Sequence, residues 1–193
     1  MSDKAFKKLN IAVNIISFGM LTVYFLYMIS VYSDFPEQIG IHYGEDNEFD
    51  VYTSKWLAFF PFMAGFGLVG IFSLAGIAAR RIKNTSKKLS AEDDSFIRMT
   101  FIAVLDAMKL FWAVFYTIWA HCVIHQTRMF TFGIPIRNFQ TLPLLIIIGA
   151  FLAVDSKVRL KKSKMFIILF LLLNFLIIME ILTITGLKQE VQV

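Results

Sequence analysis

Five apolar runs separated by short polar segments organise this chain: Leu9–Tyr32, Trp56–Ala79, Phe101–Ile124, Leu142–Val154 and Met165–Leu187. An α-helix needs about 20 apolar residues to cross a hydrocarbon core about 30 Å thick. Four of the runs meet that length. The fourth stops after 13 residues at Asp155, which on length alone fits a re-entrant or interfacial segment.

Charge resolves the fourth run. Basic residues cluster in the flank before the first run (Lys4, Lys7, Lys8) and between the second and third (Arg80, Arg81, Lys83, Lys87, Lys88, Arg98). They cluster again between the fourth and fifth (Lys157, Arg159, Lys161, Lys162, Lys164). The alternate segments hold only Lys55, Arg128, Arg137 and Lys188. Basic loops stay cytoplasmic, so all three rich segments belong on one side and the fourth run must cross. The predicted fold is all-α: an integral membrane bundle of five helices, N-terminus cytoplasmic and C-terminus outside. The helices fall at about 9–32, 56–79, 101–124, 141–157 and 165–187, with an outer loop at 33–54, in a single membrane domain over 1–193.

Composition agrees. Hydrophobic residues make up 58% of the chain and charged residues 17%, too few charges to cover the apolar surface in water. That excludes a soluble enzyme or a nucleic-acid-binding domain. The net charge of +5 sorts by loop and so reads as topology. The first run is too long for a signal peptide and no small-x-small site follows Tyr32, so it is expected as an uncleaved helix. The one cysteine, Cys122, allows no intrachain disulfide.

The segment Ser33–Ser54 holds Asp34, Glu37, Glu45, Asp46, Glu48 and Asp50, no basic residue, and His42. Read by charge alone it is a solvated connection. Its order says more. Phe35-Pro36-Glu37-Gln38-Ile39-Gly40-Ile41-His42-Tyr43, followed by Asp50-Val51-Tyr52-Thr53-Ser54-Lys55-Trp56, resembles the signature of the SdpI-like bacterial membrane family. That family includes immunity proteins against the sporulation-delaying toxin. Gly40 stands where a second proline is usual, and Asn47 replaces a glycine; asparagine is the residue that next best tolerates a left-handed turn. The resemblance covers residues 9–80, and beyond that it is a similar number of hydrophobic helices. It implies a bacterial plasma-membrane protein with an outward-facing loop bearing His42, Asp50 and Lys55, and protection against an exported toxin or peptide. Relatives are also thought to hold a transcription repressor at the membrane.

Within the spans, Asp106 and Lys109 lie three apart in the third run, hence adjacent on its surface. Intramembrane charge marks either an ion or substrate path or a mutually neutralised packing pair. Asp106, Lys109, Ala113, Thr117, Ala120 and His121 form one arc of that helix, expected to face the bundle interior. Asn14 in the first run and Glu180 in the fifth are polar groups that could join them. The candidate ligand-binding set is therefore His42, Asp50, Lys55, Asp106, Lys109 and Glu180. In the second run, Ala64, Gly67, Gly70, Ser73 and Gly76 form a small-residue stripe read as helix packing. Ser90, with Asp93 three residues on, reads as a helix cap that starts the third helix ahead of Phe101.

His121 and His125 are four apart and share a helix face, a spacing that can serve one metal. With His42, and Glu180, Asp46 or Asp50 as carboxylate, they would form a zinc-like set. The plainer reading has two interfacial histidines meeting headgroups and water. Three function classes follow. The first is immunity or resistance to an exported toxin, antimicrobial peptide or envelope stress, with a cytoplasmic regulator on the basic inner loops. The second is an ion- or proton-coupled transport component using Asp106, Lys109 and Glu180, for which five helices imply a homo-oligomer or a larger complex. The third is a membrane metalloprotein. No resident cofactor and no enzymatic activity are expected, and lipid is the default partner of the basic loops.

Overall fold

The computed structural model describes residues 3–44, 48–82, 89–128 and 142–158. Helix α1 (Asp3–Val31) ends in a 3-10 turn at Tyr32–Asp34. Strands β1 (Gln38–Tyr43) and β2 (Phe49–Ser54) follow, then a second 3-10 turn at Lys55–Phe59. Helices α2 (Phe60–Arg81), α3 (Ala91–His125) and α4 (Leu142–Val158) complete the described elements. The protein is mostly helical, in line with the all-α expectation. Among the described residues three stretches are long and apolar enough to cross a membrane: Lys4–Asp34, Lys55–Arg81 and Ala91–His125. On that ground it is a membrane protein. The fourth predicted run forms a helix of 17 residues, which at about 1.5 Å per residue falls a little short of a hydrocarbon core about 30 Å thick. The predicted fifth helix, 165–187, and with it Glu180, lies outside the described residues.

One element departs from the expected solvated loop. Residues 38–43 and 49–54 pair as an antiparallel hairpin. The pattern that drives it is period two: Ile39, Ile41 and Tyr43 are buried on β1, and β2 alternates half-buried Phe49, Val51 and Thr53 with exposed Asp50, Tyr52 and Ser54. The register runs Gln38 to Ser54, Ile39 to Thr53 and Gly40 to Tyr52, then shifts so that His42 faces Val51 and Tyr43 faces Phe49. Two successive irregularities, one on each side of His42, accommodate this, and the starting register is regained at Tyr43–Phe49.

The chain divides into two compact units, Met1–Ile77 with Leu105–Phe139, and Ala78–Val104 with Gln140–Val193. Both α2 and α3 contribute to each. In the first unit, Met28, Ile39, Ile41, Ala58, Phe62, Ala120, Val123 and Ile124 form one buried cluster. The end of α1, the hairpin, the start of α2 and the end of α3 thus share a core. Phe25 sits edge-on to Phe59, Phe62 and Phe66 at 6.0, 5.6 and 6.2 Å between ring centroids, a favoured aromatic geometry.

Close helix approach occurs at Gly65, where a Cβ would stand 3.0 Å from both Leu21 Cδ2 and Tyr116 Cβ. The small-residue stripe is engaged unevenly: among the described residues, Gly67 and Gly70 have nothing within 4 Å of a Cβ and Gly76 meets Leu105 at 4.0 Å, whereas Ser73 makes polar contacts to α1. At about 100° per residue, positions three apart drift about 60° around the helix at each step, so such a stripe cannot stay on one neighbour.

In the second unit, Ser90 caps α3 as its sequence implies. The Asp93 N–H donates to Ser90 Oγ at 3.1 Å, and Ser90 Oγ donates to Asp93 Oδ2 at 2.8 Å. Arg98 bonds Asp94 across one turn at 3.1 Å and donates to the Ile82 carbonyl at 2.8 Å. That contact ties the end of α2 to the first turns of α3.

Candidate functional site

Two polar assemblies stand out in the first unit. One is built on the hairpin. His42 Nδ1 lies 2.5 Å from Asp50 Oδ1, joining β1 to β2. With Nδ1–H donating to the carboxylate, Nε2 is the imidazole nitrogen that faces no protein partner among the described residues. At the base of the hairpin, Lys55 Nζ donates to Glu37 Oε1 at 2.8 Å, and the Lys55 N–H donates to the Glu37 carbonyl at 3.1 Å. The same ammonium stands 5.8 Å from the centre of the Tyr32 ring, within cation–π range. Of the positions that carry the signature, His42 and Asp50 are thereby brought together on one small sheet, with Lys55 at its base. Arg128, beyond α3, pairs with Glu48.

What holds this hairpin is side-chain chemistry from the end of α3. The Gly40 N–H donates to Gln126 Oε1 at 2.8 Å, and Gln126 Nε2 donates to the Gly40 carbonyl at 3.2 Å. The amide thus occupies the place a neighbouring strand would take. Trp119 Nε1 donates to the Ile41 carbonyl at 2.8 Å, and the Tyr43 hydroxyl donates to the Thr127 carbonyl at 2.9 Å. Burial pushes the Tyr43 phenol well above its ordinary value of 10.0, so it stays a neutral donor.

Gln126 has φ of 48°, a left-handed conformation more often given to glycine at a helix end. The Thr127 N–H reaches the Cys122 carbonyl at 3.0 Å and the Gln126 N–H reaches Val123 at 3.4 Å, the paired closing bonds of a Schellman turn. Gln126 Nε2 also donates to the Val123 carbonyl at 2.7 Å. Those side-chain bonds offset the strain of a non-glycine residue there. Position 40 has its own constraint, because a Cβ would collide with the Phe49 ring. A proline there would also remove the N–H that Gln126 uses.

The second assembly lies inside the bundle. Lys109 Nζ contacts Asp106 Oδ1 at 2.6 Å, and the two residues are 1% and 6% exposed. Asn10 Nδ2 donates to both Asp106 oxygens, at 2.6 and 2.8 Å, and Lys109 Nζ donates to Asn14 Oδ1 at 2.9 Å. Asn14 Nδ2 donates back to the Asn10 carbonyl at 2.7 Å. Ser73 Oγ lies 3.0 Å from Asn14 Oδ1 and 2.7 Å from the Val69 carbonyl. Three side chains, Asn10 and Asn14 from α1 and Ser73 from α2, therefore gather around one ion pair on α3, the arrangement that makes buried charge tolerable. The expected arc of α3 faces inward at Asp106, Lys109, Ala113, Thr117 and Ala120. His121, its last member, is exposed and sits edge-on to Tyr24 at 5.9 Å.

Asn14 joins Lys109 as its sequence position suggests. Asn10 is not among the residues the sequence singles out, and Ser73 enters there only as a member of the small-residue stripe; the signal for both is polarity on the inward faces of α1 and α2. Farther along, Ser17 Oγ and Thr117 Oγ1 are buried without a hydrogen-bond partner among the described residues.

The His121 and His125 rings are 4.5 Å apart, with His125 against Tyr27 at 6.0 Å. Among the described residues no three His, Cys, Asp or Glu side chains gather where they could hold one metal ion. His42 meets Asp50, and the carboxylates Asp46 and Glu180 of the zinc-like set lie outside the described residues. Beside His125, a cleft of about 230 Å³ opens between the ends of α1 and α3 and the start of β1, lined among others by Tyr27, Asp34, Phe35 and Ile39. Comparison with protein-family models, with curated proteins and with solved structures yields no match.

Proposed function

We propose that this chain is an SdpI-like protein of the bacterial plasma membrane that gives immunity or resistance to an exported toxin or antimicrobial peptide, recognised at its hairpin end. One observation carries the reading. His42 and Asp50 of the family-like signature pair across the two strands of a hairpin, Lys55 pairs with Glu37 at its base, and Trp119, Gln126 and Tyr43 fix that hairpin to the bundle. A surface held that firmly loses little conformational entropy on binding a ligand. The loop charge bias supports an orientation with the hairpin outside and the basic segments, with any cytoplasmic regulator, inside.

The transport reading rests on Asp106 and Lys109, and the geometry around them favours a packing role. Each charge is met by neutral partners from other helices, as in a structural pair.

The test is survival. Cells carrying wild type, His42→Ala or Asp50→Ala, with surface expression matched, are challenged with a panel of exported cationic antimicrobial peptides. Protection by wild type that both variants lose supports the proposal. Absence of protection against every peptide sinks it and makes flux through Asp106→Asn and Lys109→Met proteins in vesicles the next measurement.

A further inference from the structure

The hairpin has two long edges, and they differ. On β1 the outward edge is closed by α3 side chains, since Gln126 takes both backbone groups of Gly40 and Trp119 takes the Ile41 carbonyl. Because the Gly40 N–H and carbonyl point away from β2, Gly40 and its register partner Tyr52 form a non-hydrogen-bonded pair. In an antiparallel ladder both members of such a pair direct their backbone groups outward. The Tyr52 N–H and carbonyl therefore point to the far edge of β2, where among the described residues no partner meets them. The Tyr52 side chain is 62% exposed. On β2 the segment Phe49-Asp50-Val51-Tyr52-Thr53-Ser54 has no proline and no lysine, two of the common protections of an open strand.

We infer that the free edge of β2 binds an extended cationic peptide as a third antiparallel strand, with Tyr52 supplying the backbone pair at its centre. This rests on the proposed recognition at the hairpin end and names how it is done. Backbone pairing would supply affinity, and alternate side chains would supply selectivity. Exposed Asp50 and Tyr52 lie on one face of β2, so a basic residue of the added strand would sit beside Asp50 and an apolar one beside Tyr52. Charge argues against a second copy of this chain as the occupant. Segment 33–54 carries six carboxylates and no basic residue, and edge-to-edge self-pairing would bring like charges together.

The experiment uses the full chain in nanodiscs and a synthetic octapeptide of alternating lysine and valine as the probe. Its companions are the same peptide N-methylated at alternate backbone amides and a glutamate–valine peptide. Wild type should bind the lysine peptide, weaken as salt rises, lose at least tenfold in affinity for the N-methylated one and reject the acidic one. Tyr52→Pro removes an outward N–H at an edge position, where proline is tolerated, and should lose at least tenfold as well. Tyr52→Ala, which keeps the N–H, should bind more tightly than Tyr52→Pro.

Equal affinity for the lysine peptide and its N-methylated form overturns the third-strand inference while leaving recognition intact, and this arm stands even if Tyr52→Pro does not fold. Failure of wild type to bind any cationic peptide removes the recognition reading itself. A wild-type dimer that Tyr52→Pro converts to monomer, with no peptide binding, assigns the edge to a second copy and overturns the inference too.

Discussion

The protein has two sets of ion pairs of similar geometry in opposite surroundings. His42–Asp50 and Lys55–Glu37 contact at 2.5 and 2.8 Å with exposed or half-exposed partners, and Lys109–Asp106 contacts at 2.6 Å with both partners buried. In water, an exposed pair gains little, because solvent and salt already stabilise each charge. Inside the bundle each charge depends on the other and on Asn10 and Asn14, so removing one partner strands its mate. Similar contacts thus serve different ends. The hairpin pairs are expected to tolerate alteration without unfolding the protein, which is what a recognition surface requires, and the inner pair lies where α1, α2 and α3 meet.

The largest test of this contrast is Lys109→Met. It leaves the Asp106 carboxylate buried without its cation, and thermal unfolding in detergent should show a loss of about 3–5 kcal/mol. Adding Asp106→Leu should recover much of that loss, since the stranded charge is then gone. A Lys109→Met protein as stable as wild type would erase the distinction between the two regions.

Next comes Gln126→Ala, which deletes the amide that mimics a strand beside Gly40. The buried Gly40 N–H is left unmet, at about 1–3 kcal/mol. Hydrogen exchange at residues 38–43 should rise while exchange at 106–117 stays unchanged.

Tyr43→Phe should be smaller, about 1 kcal/mol for one neutral hydrogen bond. It carries a pH signature. Because burial raises the Tyr43 phenol above 10.0 in the folded protein, its contribution is complete below about pH 10 and declines as pH rises further, where only the unfolded chain ionises. The stability of wild type should fall more steeply above that pH than the stability of Tyr43→Phe.

Smallest in stability is Asp50→Asn, expected within about 1 kcal/mol of wild type. In the survival assay it should nonetheless lose protection. Stability retained with protection lost sharpens the contrast, whereas a large destabilisation would show that the hairpin pair belongs to the core.

Much of the helical frame was legible in the sequence, because a membrane span must satisfy its backbone internally and present about 20 apolar residues, a constraint local to each segment. The helices at Leu9–Tyr32, Trp56–Ala79 and Phe101–Ile124 follow from it, as does the Ser90 cap, which is local hydrogen bonding. The inward face of α3 at Asp106, Lys109, Ala113 and Thr117 follows from helical period alone. The hairpin was legible in principle, through the alternation of Ile39, Ile41 and Tyr43, but the acidic composition of the segment masks it.

Tertiary structure alone decided the rest. That Gln126 closes the edge of β1, that Gly40 lies under Phe49, and that Asn10 and Ser73 complete the Asp106–Lys109 cluster each depend on residues tens of positions apart meeting. No local rule carries that information, because a side chain's partner is set by how helices and hairpin pack. The same packing closes the edge of β1 and, among the described residues, leaves the edge of β2 without a partner.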